Sequence, residues 1–191
     1  MGANYLIDPL ILVIDTLASL YVLAVLLRFM LQWTGAAFYN PISQFLVTIT
    51  HPPLRILRRF VPSIGKLDTS SLVLALVLQM LTNFIILMLK GVALNIAALI
   101  VLSIIDLVSL VINIFIFAIF ARAILSWMNP GTYDAAASIL ATLTEPLLTL
   151  CRKFIPYLGG MDLSPLAALL FLQLAKMVIL PPLHEIANLL S

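Results

Sequence analysis

The side chains with the most chemical potential are those whose charge lies inside long apolar runs: Asp15, Arg28, Asp106, Arg122 and Lys176. A charge in such a run marks an ion or proton path by default, and Asp106 with Lys176 forms the candidate polar path here. Counted from Trp33 and Trp127 at about 1.5 Å per residue, Asp15 and Asp106 fall roughly 27–32 Å away, near the far interface of a bilayer. Lys176, about two-thirds of the way across, can snorkel outward or meet Asp106. Interfacial anchoring and transport are both open for these groups. Arg28 and Arg122 stand just before the tryptophans at the other boundary, where a guanidinium can reach headgroups. Alternatively, each arginine pairs with a carboxylate such as Asp68 or Asp162 and clamps a connecting segment against the helices. Removing one partner of such a pair would cost several kcal/mol, about 3–5, because the survivor stays charged in a low dielectric.

Other chemistry finds little support. His51 and His184 each stand alone beside proline, with no second ligand at i+3 or i+4, so no metal or haem site is expected. Cys151 is the single cysteine, which excludes an internal disulfide, and its place on an apolar face suits a packed hydrophobe. There is no Ser/His/Asp or Cys/His constellation, HExxH, P-loop or dinucleotide glycine pattern. The chain is expected not to be an enzyme and to need no cofactor. Gln79 and Gln173 suit hydrogen bonds between helices.

The elements that must position these residues follow from composition. Of 191 residues 63% are hydrophobic and 9% charged, and the mean hydropathy is +1.20, against roughly 25% charged residues in an ordinary soluble domain. The apolar runs approach the ~20 residues of a spanning helix and lack the alternation of barrel strands. The fold class is therefore all-α, a polytopic membrane protein. A net charge of +2 without a dense Lys/Arg run argues against nucleic acid. Met1 to Leu12 has no basic segment and carries Asp8, so the first apolar run is expected to remain as a mature helix.

The chain is duplicated at an offset of 94 residues: residues 28–79 and 122–173 agree at 19 of 52 positions without a gap. The matches include Arg28/Arg122, Trp33/Trp127, Tyr39/Tyr133, Asp68/Asp162, Ser70/Ser164 and Gln79/Gln173. Residues 1–91 form the first copy, with spans over about 9–32 and 70–89 and a linker over 34–68; residues 92–191 form the second, with spans over about 105–126 and 164–182 and a linker over 128–162. Two spans per copy make the repeat parallel and put both linkers on one side.

In the first linker Ile42, Phe45, Leu46 and Ile49 share the apolar face of a short helix, with Ser43, Gln44 and Thr48 elsewhere, and Pro52-Pro53 is expected to stop it. A separate turn follows, with Leu54, Leu57 and Val61 apolar and Arg55, Arg58 and Arg59 opposite. Ala136, Ile139, Leu140 and Leu143, then Leu148, Cys151 and Ile155, repeat these faces. Asp68-Thr69-Ser70 offers capping oxygens, Ser164 an N-cap ahead of Pro165, and Lys90-Gly91 a helix end. Val92 to Ser103 is expected as a short outer helix or turn before a third span from Ile105, and Pro181-Pro182 as the end of the fourth. Arg55, Arg58, Arg59, Lys66, Arg152 and Lys153 lie in the linkers against Lys90 in the opposite connection, so the linkers are expected in the cytoplasm and the termini in the periplasm. Arg55, Arg58, Arg59, Arg152 and Lys153 would contact anionic lipid headgroups at about 1 kcal/mol each.

The doubled pattern Thr50-x-Pro52, Arg58-Arg59, Val61-Pro62, Gly65, Asp68-x-Ser70, answered by Thr144-x-Pro146, Arg152-Lys153, Ile155-Pro156, Gly159-Gly160, Asp162-x-Ser164-Pro165, resembles the YggT family, also called YlmG, of small integral membrane proteins. The first copy departs at Lys66 and Ser71, and the second at Asp134-Ala135 in place of Asn40-Pro41. The resemblance implies a bacterial inner-membrane protein without an established biochemical activity. Members are associated with cell division, the envelope and osmotic or ion stress, and plastid relatives with cytochrome b6 maturation and nucleoid distribution. Two expectations result. One is a non-enzymatic scaffold or assembly factor that binds anionic lipids and other membrane proteins or a larger complex; the other is a channel or transporter component built as a homo-oligomer.

Overall fold

The computed structural model describes residues 4–37, 39–64, 67–92, 95–128, 134–154 and 162–190, without the side chains of residues 4, 5, 127 and 128. Expectations that rest on Gly65, Lys66, Tyr133, Ile155, Pro156, Gly159, Gly160 or the Trp127 side chain lie outside the described residues. Six helices are described: α1 (Asn4–Thr34), α2 (Pro41–Leu57), α3 (Thr69–Leu89), α4 (Ile96–Met128), α5 (Ala135–Phe154) and α6 (Ser164–Leu190). The fold is all-α, and α1, α3, α4 and α6 contain the four segments long and apolar enough to cross a membrane.

Their ends follow from local chemistry. Gly35 and Gly91 take φ of +73° and +68°, the left-handed conformation that glycine enters without a Cβ penalty. There α1 closes with Ala36 N–H on Leu31 O at 2.9 Å, and α3 with Val92 N–H on Leu87 O at 3.1 Å, the 6→1 bond that returns a donor to a terminal carbonyl. Asn40 starts α2, its side chain accepting from Ile42 N–H at 2.9 Å with Pro41 in the first turn. Asn95 does the same for α4 through Ala97 N–H at 2.9 Å.

Three expected interruptions are absent. The segment before Ile105 is continuous with the third span, since α4 runs unbroken from Ile96. Its residues from Ile96 to Ser103 have no helix breaker, and Ala98, Leu99 and Ser103 are buried. Pro181-Pro182 does not end α6, which continues to Leu190. Nor does Pro52-Pro53 end α2, so the expected helix and turn are one element. Proline's own φ is helical, and what it removes is an N–H donor and room for the carbonyl four residues back. In α2 the carbonyl that loses its donor to Pro53 is that of Ile49, and the Tyr21 hydroxyl of α1 donates to it at 3.2 Å. The burial stripe of α2 also differs from the apolar stripe: Ser43, Leu46, Thr50 and Leu54 are buried while Ile42 and Phe45 are exposed. Thr50 sits inside because an arginine and a backbone carbonyl partner its hydroxyl there.

The spans pack as α1 on α3, α3 on α4 and α4 on α6, and α6 touches no helix besides α4 and α5 among the described residues. Both linkers lie at one end: α2 packs on α5, and Asn40 Nδ2 donates to Ala135 O at 2.7 Å. At the other end Asn95, just before α4, donates to Leu190 O of α6. Beneath the linkers Val22, Val25, Leu26, Leu74, Ala75 and Ala118 form a buried apolar core with Leu54 and Leu143 seated on it.

Candidate functional site

Two polar constructions interrupt the apolar interior. The first is an arginine clasp between span and linker, made once in each copy. Arg28 of α1 is 7% exposed; its Nη1 donates to Thr50 Oγ1 at 2.8 Å and to Val47 O at 3.3 Å. Arg122 of α4 repeats both bonds at the same lengths, to Thr144 Oγ1 and Ala141 O. The Thr50 and Thr144 hydroxyls donate in turn to the carbonyls of Leu46 and Leu140. The arginines therefore do clasp the linkers, and Arg122 also meets a linker carboxylate, Glu145, but neither arginine meets Asp68 or Asp162. Asp68 belongs to Arg58, at 2.5 Å, and Asp162 to Arg152, at 3.0 Å. Each linker arginine meets the carboxylate ten residues on, whereas the span arginines are taken up by the linker helix directly.

The copies differ at one telling position. Glu145 bridges Arg122 Nη2 at 2.8 Å and Arg152 Nη1 at 2.7 Å, and its counterpart in the first copy is His51, which is exposed. Burial alone would raise the Asp68 carboxyl; hydrogen bonds from Arg58 and Ser71, with the charges of Arg58 and Arg28, outweigh it and hold the group below its ordinary range. Glu145 is lowered in the same manner, burial being outweighed by Arg122 and Arg152. For Asp162, burial is outweighed by hydrogen bonds from Ser164 and by Arg152. The hydroxyls expected to cap α3 turn elsewhere, Thr69 Oγ1 to Pro62 O and Ser70 Oγ to Val61 O, both at 2.6 Å. Asp68, at the N-cap position, makes no side-chain cap bond. These bonds tie the linker's last turn to the start of the span.

Of the residues expected at lipid headgroups, Arg58 and Arg152 are thus engaged by carboxylates. Arg55, Arg59 and Lys153 are exposed.

The second construction is a polar groove of about 400 Å³ between α1, α3 and α4, lined by Asp15, Ser19, Gln79, Asn83, Asp106 and Asn113 among others. Asp106 Oδ2 accepts from Gln79 Nε2 at 3.1 Å and Asn83 Nδ2 at 2.8 Å. Gln79 is the central residue of the 21-residue α3, whose length of about 31 Å matches a bilayer core. Asp106 thus lies level with the middle of that span and not at its far end. Counting from Trp127 overstated the depth because α4, at 33 residues, overshoots α3 on the linker side. Lys176 does not meet Asp106; its Nζ donates to Asn113 Oδ1 at 2.9 Å, joining α6 to α4. Gln79 bonds between helices as expected, and Gln173 is exposed. Sequence reasoning missed Thr50, Thr144, Glu145, Asn83 and Asn113. The first pair carries a readable signal, since an arginine precedes a threonine by 22 residues in both copies.

The sequence model of the family described as CCB3/YggT matches the chain twice, over residues 7–89 and 101–183, which agrees with the duplication. An uncharacterized protein of Pseudomonas aeruginosa is 46% identical over 172 residues, covering 89% of this chain and 87% of that protein. The uncharacterized protein YggT of Escherichia coli K12 is 30% identical over 183 residues, covering 96% and 95%. The chloroplastic YlmG homolog protein 2 of Arabidopsis thaliana is 42% identical over 62 residues, 32% of this chain and 24% of that protein. No solved structure matches. With two matches that together span most of its length and such relatives over nearly all of it, the chain belongs to the CCB3/YggT family of membrane proteins.

Proposed function

We propose that the chain is a non-enzymatic scaffold or assembly factor for other membrane proteins, seated in the bacterial inner membrane with both linkers cytoplasmic and the termini periplasmic. The observation that carries this reading is the blind end of the polar groove. Toward the linkers it runs into Val22, Val25, Leu26, Leu74, Ala75 and Ala118, all buried and apolar, and a conduction path cannot cross such a plug without polar or wet lining. Docking surface is plentiful by contrast. Along α6, Leu166, Leu170, Phe171, Leu174, Met177 and Val178 are exposed at helical spacing, opposite Ala168 and Leu172, which are buried against α4 and α5. The cytoplasmic placement rests on Arg55, Arg59 and Lys153 at the linker end, against Lys90 at the other.

A photoreactive residue at Leu174, inside native membranes, should give a discrete protein adduct that the same residue at Leu12 of α1 does not. Equal, diffuse labelling from both positions would sink the scaffold reading. A second reading, a component of an oligomeric channel or transporter, is favoured by the Asp106 carboxylate level with mid-span among neutral amides. Cation flux in proteoliposomes that disappears in Asp106→Asn would replace the first reading with the second.

A further inference from the structure

The two copies of the arginine clasp are chemically unequal. In the second, two guanidinium groups face two carboxylates: Arg122 and Arg152 against Glu145 and Asp162. In the first, Arg28 and Arg58 face Asp68 alone, because the position of Glu145 is taken by His51. The deficit is visible atom by atom. Arg28 and Arg122 spend Nη1 identically, on a threonine hydroxyl and a helix carbonyl. Arg122 then gives Nη2 to Glu145, whereas the Nη2 of Arg28 has no partner among the described residues.

What stands in place of the missing carboxylate is a cleft of about 230 Å³, lined by Arg28, Gln32, Ser43 and Arg58 with Leu31 and Leu46 on its apolar side. The Ser43 hydroxyl is buried there without a hydrogen-bond partner. Its counterpart in the second copy is Ala137, and that of Gln32 is Ser126. The first copy thus trades an internal anion for a cavity, an unspent guanidinium face and an orphan hydroxyl. An oxyanion that can bridge two arginines and accept from a hydroxyl restores what the second copy holds internally.

We propose that this cleft binds a phosphate group, carried by an anionic phospholipid headgroup or by free phosphate, which occupies in the first copy the place that Glu145 occupies in the second. Both sources offer the same bridging oxygens. The site lies at the linker end, where α1 and α2 meet, so a headgroup can enter from the bilayer surface and free phosphate from water.

The test is a binding titration of the full-length protein, stripped of lipid in an uncharged detergent, read by native mass spectrometry with melting temperature in parallel. The probes are phosphatidylglycerol, inorganic phosphate and, as control, an uncharged alkyl glycoside. His51→Glu places the second copy's carboxylate in the first copy at an exposed position, and Ser43→Ala removes only the orphan hydroxyl. Wild type should take up one phosphatidylglycerol, displaced by millimolar phosphate; His51→Glu should weaken this at least about tenfold and raise the melting temperature of the lipid-free protein, and Ser43→Ala should weaken it several-fold. Uptake of inorganic phosphate but not phosphatidylglycerol, sensitive to the same substitutions, would assign the site to free phosphate. Binding of neither probe, or binding unchanged in His51→Glu, overturns the proposal; if His51→Glu does not fold, unchanged binding in Ser43→Ala overturns it.

Discussion

Replacing Tyr21 with phenylalanine should destabilise the protein only as long as Pro53 is present. The Tyr21 hydroxyl reaches the Ile49 carbonyl at 3.2 Å, and that carbonyl is the one whose intrahelical donor Pro53 lacks. The phenylalanine keeps the ring packing and deletes the donor, which leaves a half-buried carbonyl unsatisfied at a cost of about 1–2 kcal/mol. In Pro53→Leu the backbone N–H returns and takes the carbonyl, so the same Tyr21→Phe change should then cost less than about 0.5 kcal/mol. The second copy already has this alternative, with Phe115 and Leu147 at the equivalent places. Unfolding by sodium dodecyl sulfate in mild detergent, followed by tryptophan fluorescence, gives the four free energies of the cycle. The coupling should be about 1 kcal/mol, whatever Pro53→Leu does alone. Equal losses in the two backgrounds would refute the account of how α2 passes through its prolines.

The paired clasps should respond unequally to loss of their threonines. Thr50→Val leaves a buried guanidinium with a backbone carbonyl alone and should cost about 2–3 kcal/mol, while Thr144→Val should cost about half as much because Glu145 still holds Arg122; equal losses in chemical unfolding would contradict the asymmetry. Acid should weaken the linkers. Asp68, Glu145 and Asp162 have folded pKa values below their ordinary 3.8, 4.5 and 3.8, so their stabilisation is complete above those values and is lost as pH falls through the lower, folded ones. Melting temperature should be flat from pH 7 to about 5 and fall below about 4, with a shallower fall in Glu145→Gln; a melting temperature constant down to pH 3 would count against the ion pairs. Gly91→Ala has open space for its methyl group yet must hold φ at +68°, so it should lower stability by about 1 kcal/mol in the same unfolding titration; no change would mean that the turn relaxes freely.

The class, the duplication and the approximate spans were legible in the residues because they depend on one-dimensional quantities: the length of apolar runs, the register of a 94-residue repeat and the grouping of basic side chains. The same register showed that the copies run parallel, and α2 packed on α5 at one end has no other geometry available. Partnership was not legible, because it depends on which helices become neighbours and at what height. Arg28 was within reach of a carboxylate by sequence but is met by Thr50, since α2 packs against α1 with its Val47–Thr50 turn beside the guanidinium. Prolines that should end α2 do not, and for Pro53 a tyrosine on another helix supplies the missing donor. Asp106, placed at an interface by counting, stands level with the middle of α3 because α4 overshoots its neighbour. The residues alone said that Glu145 and His51 occupy matched positions; only the tertiary structure turned that difference into an occupied clasp in one copy and an open cleft in the other, by bringing two arginines around the place where the carboxylate is missing.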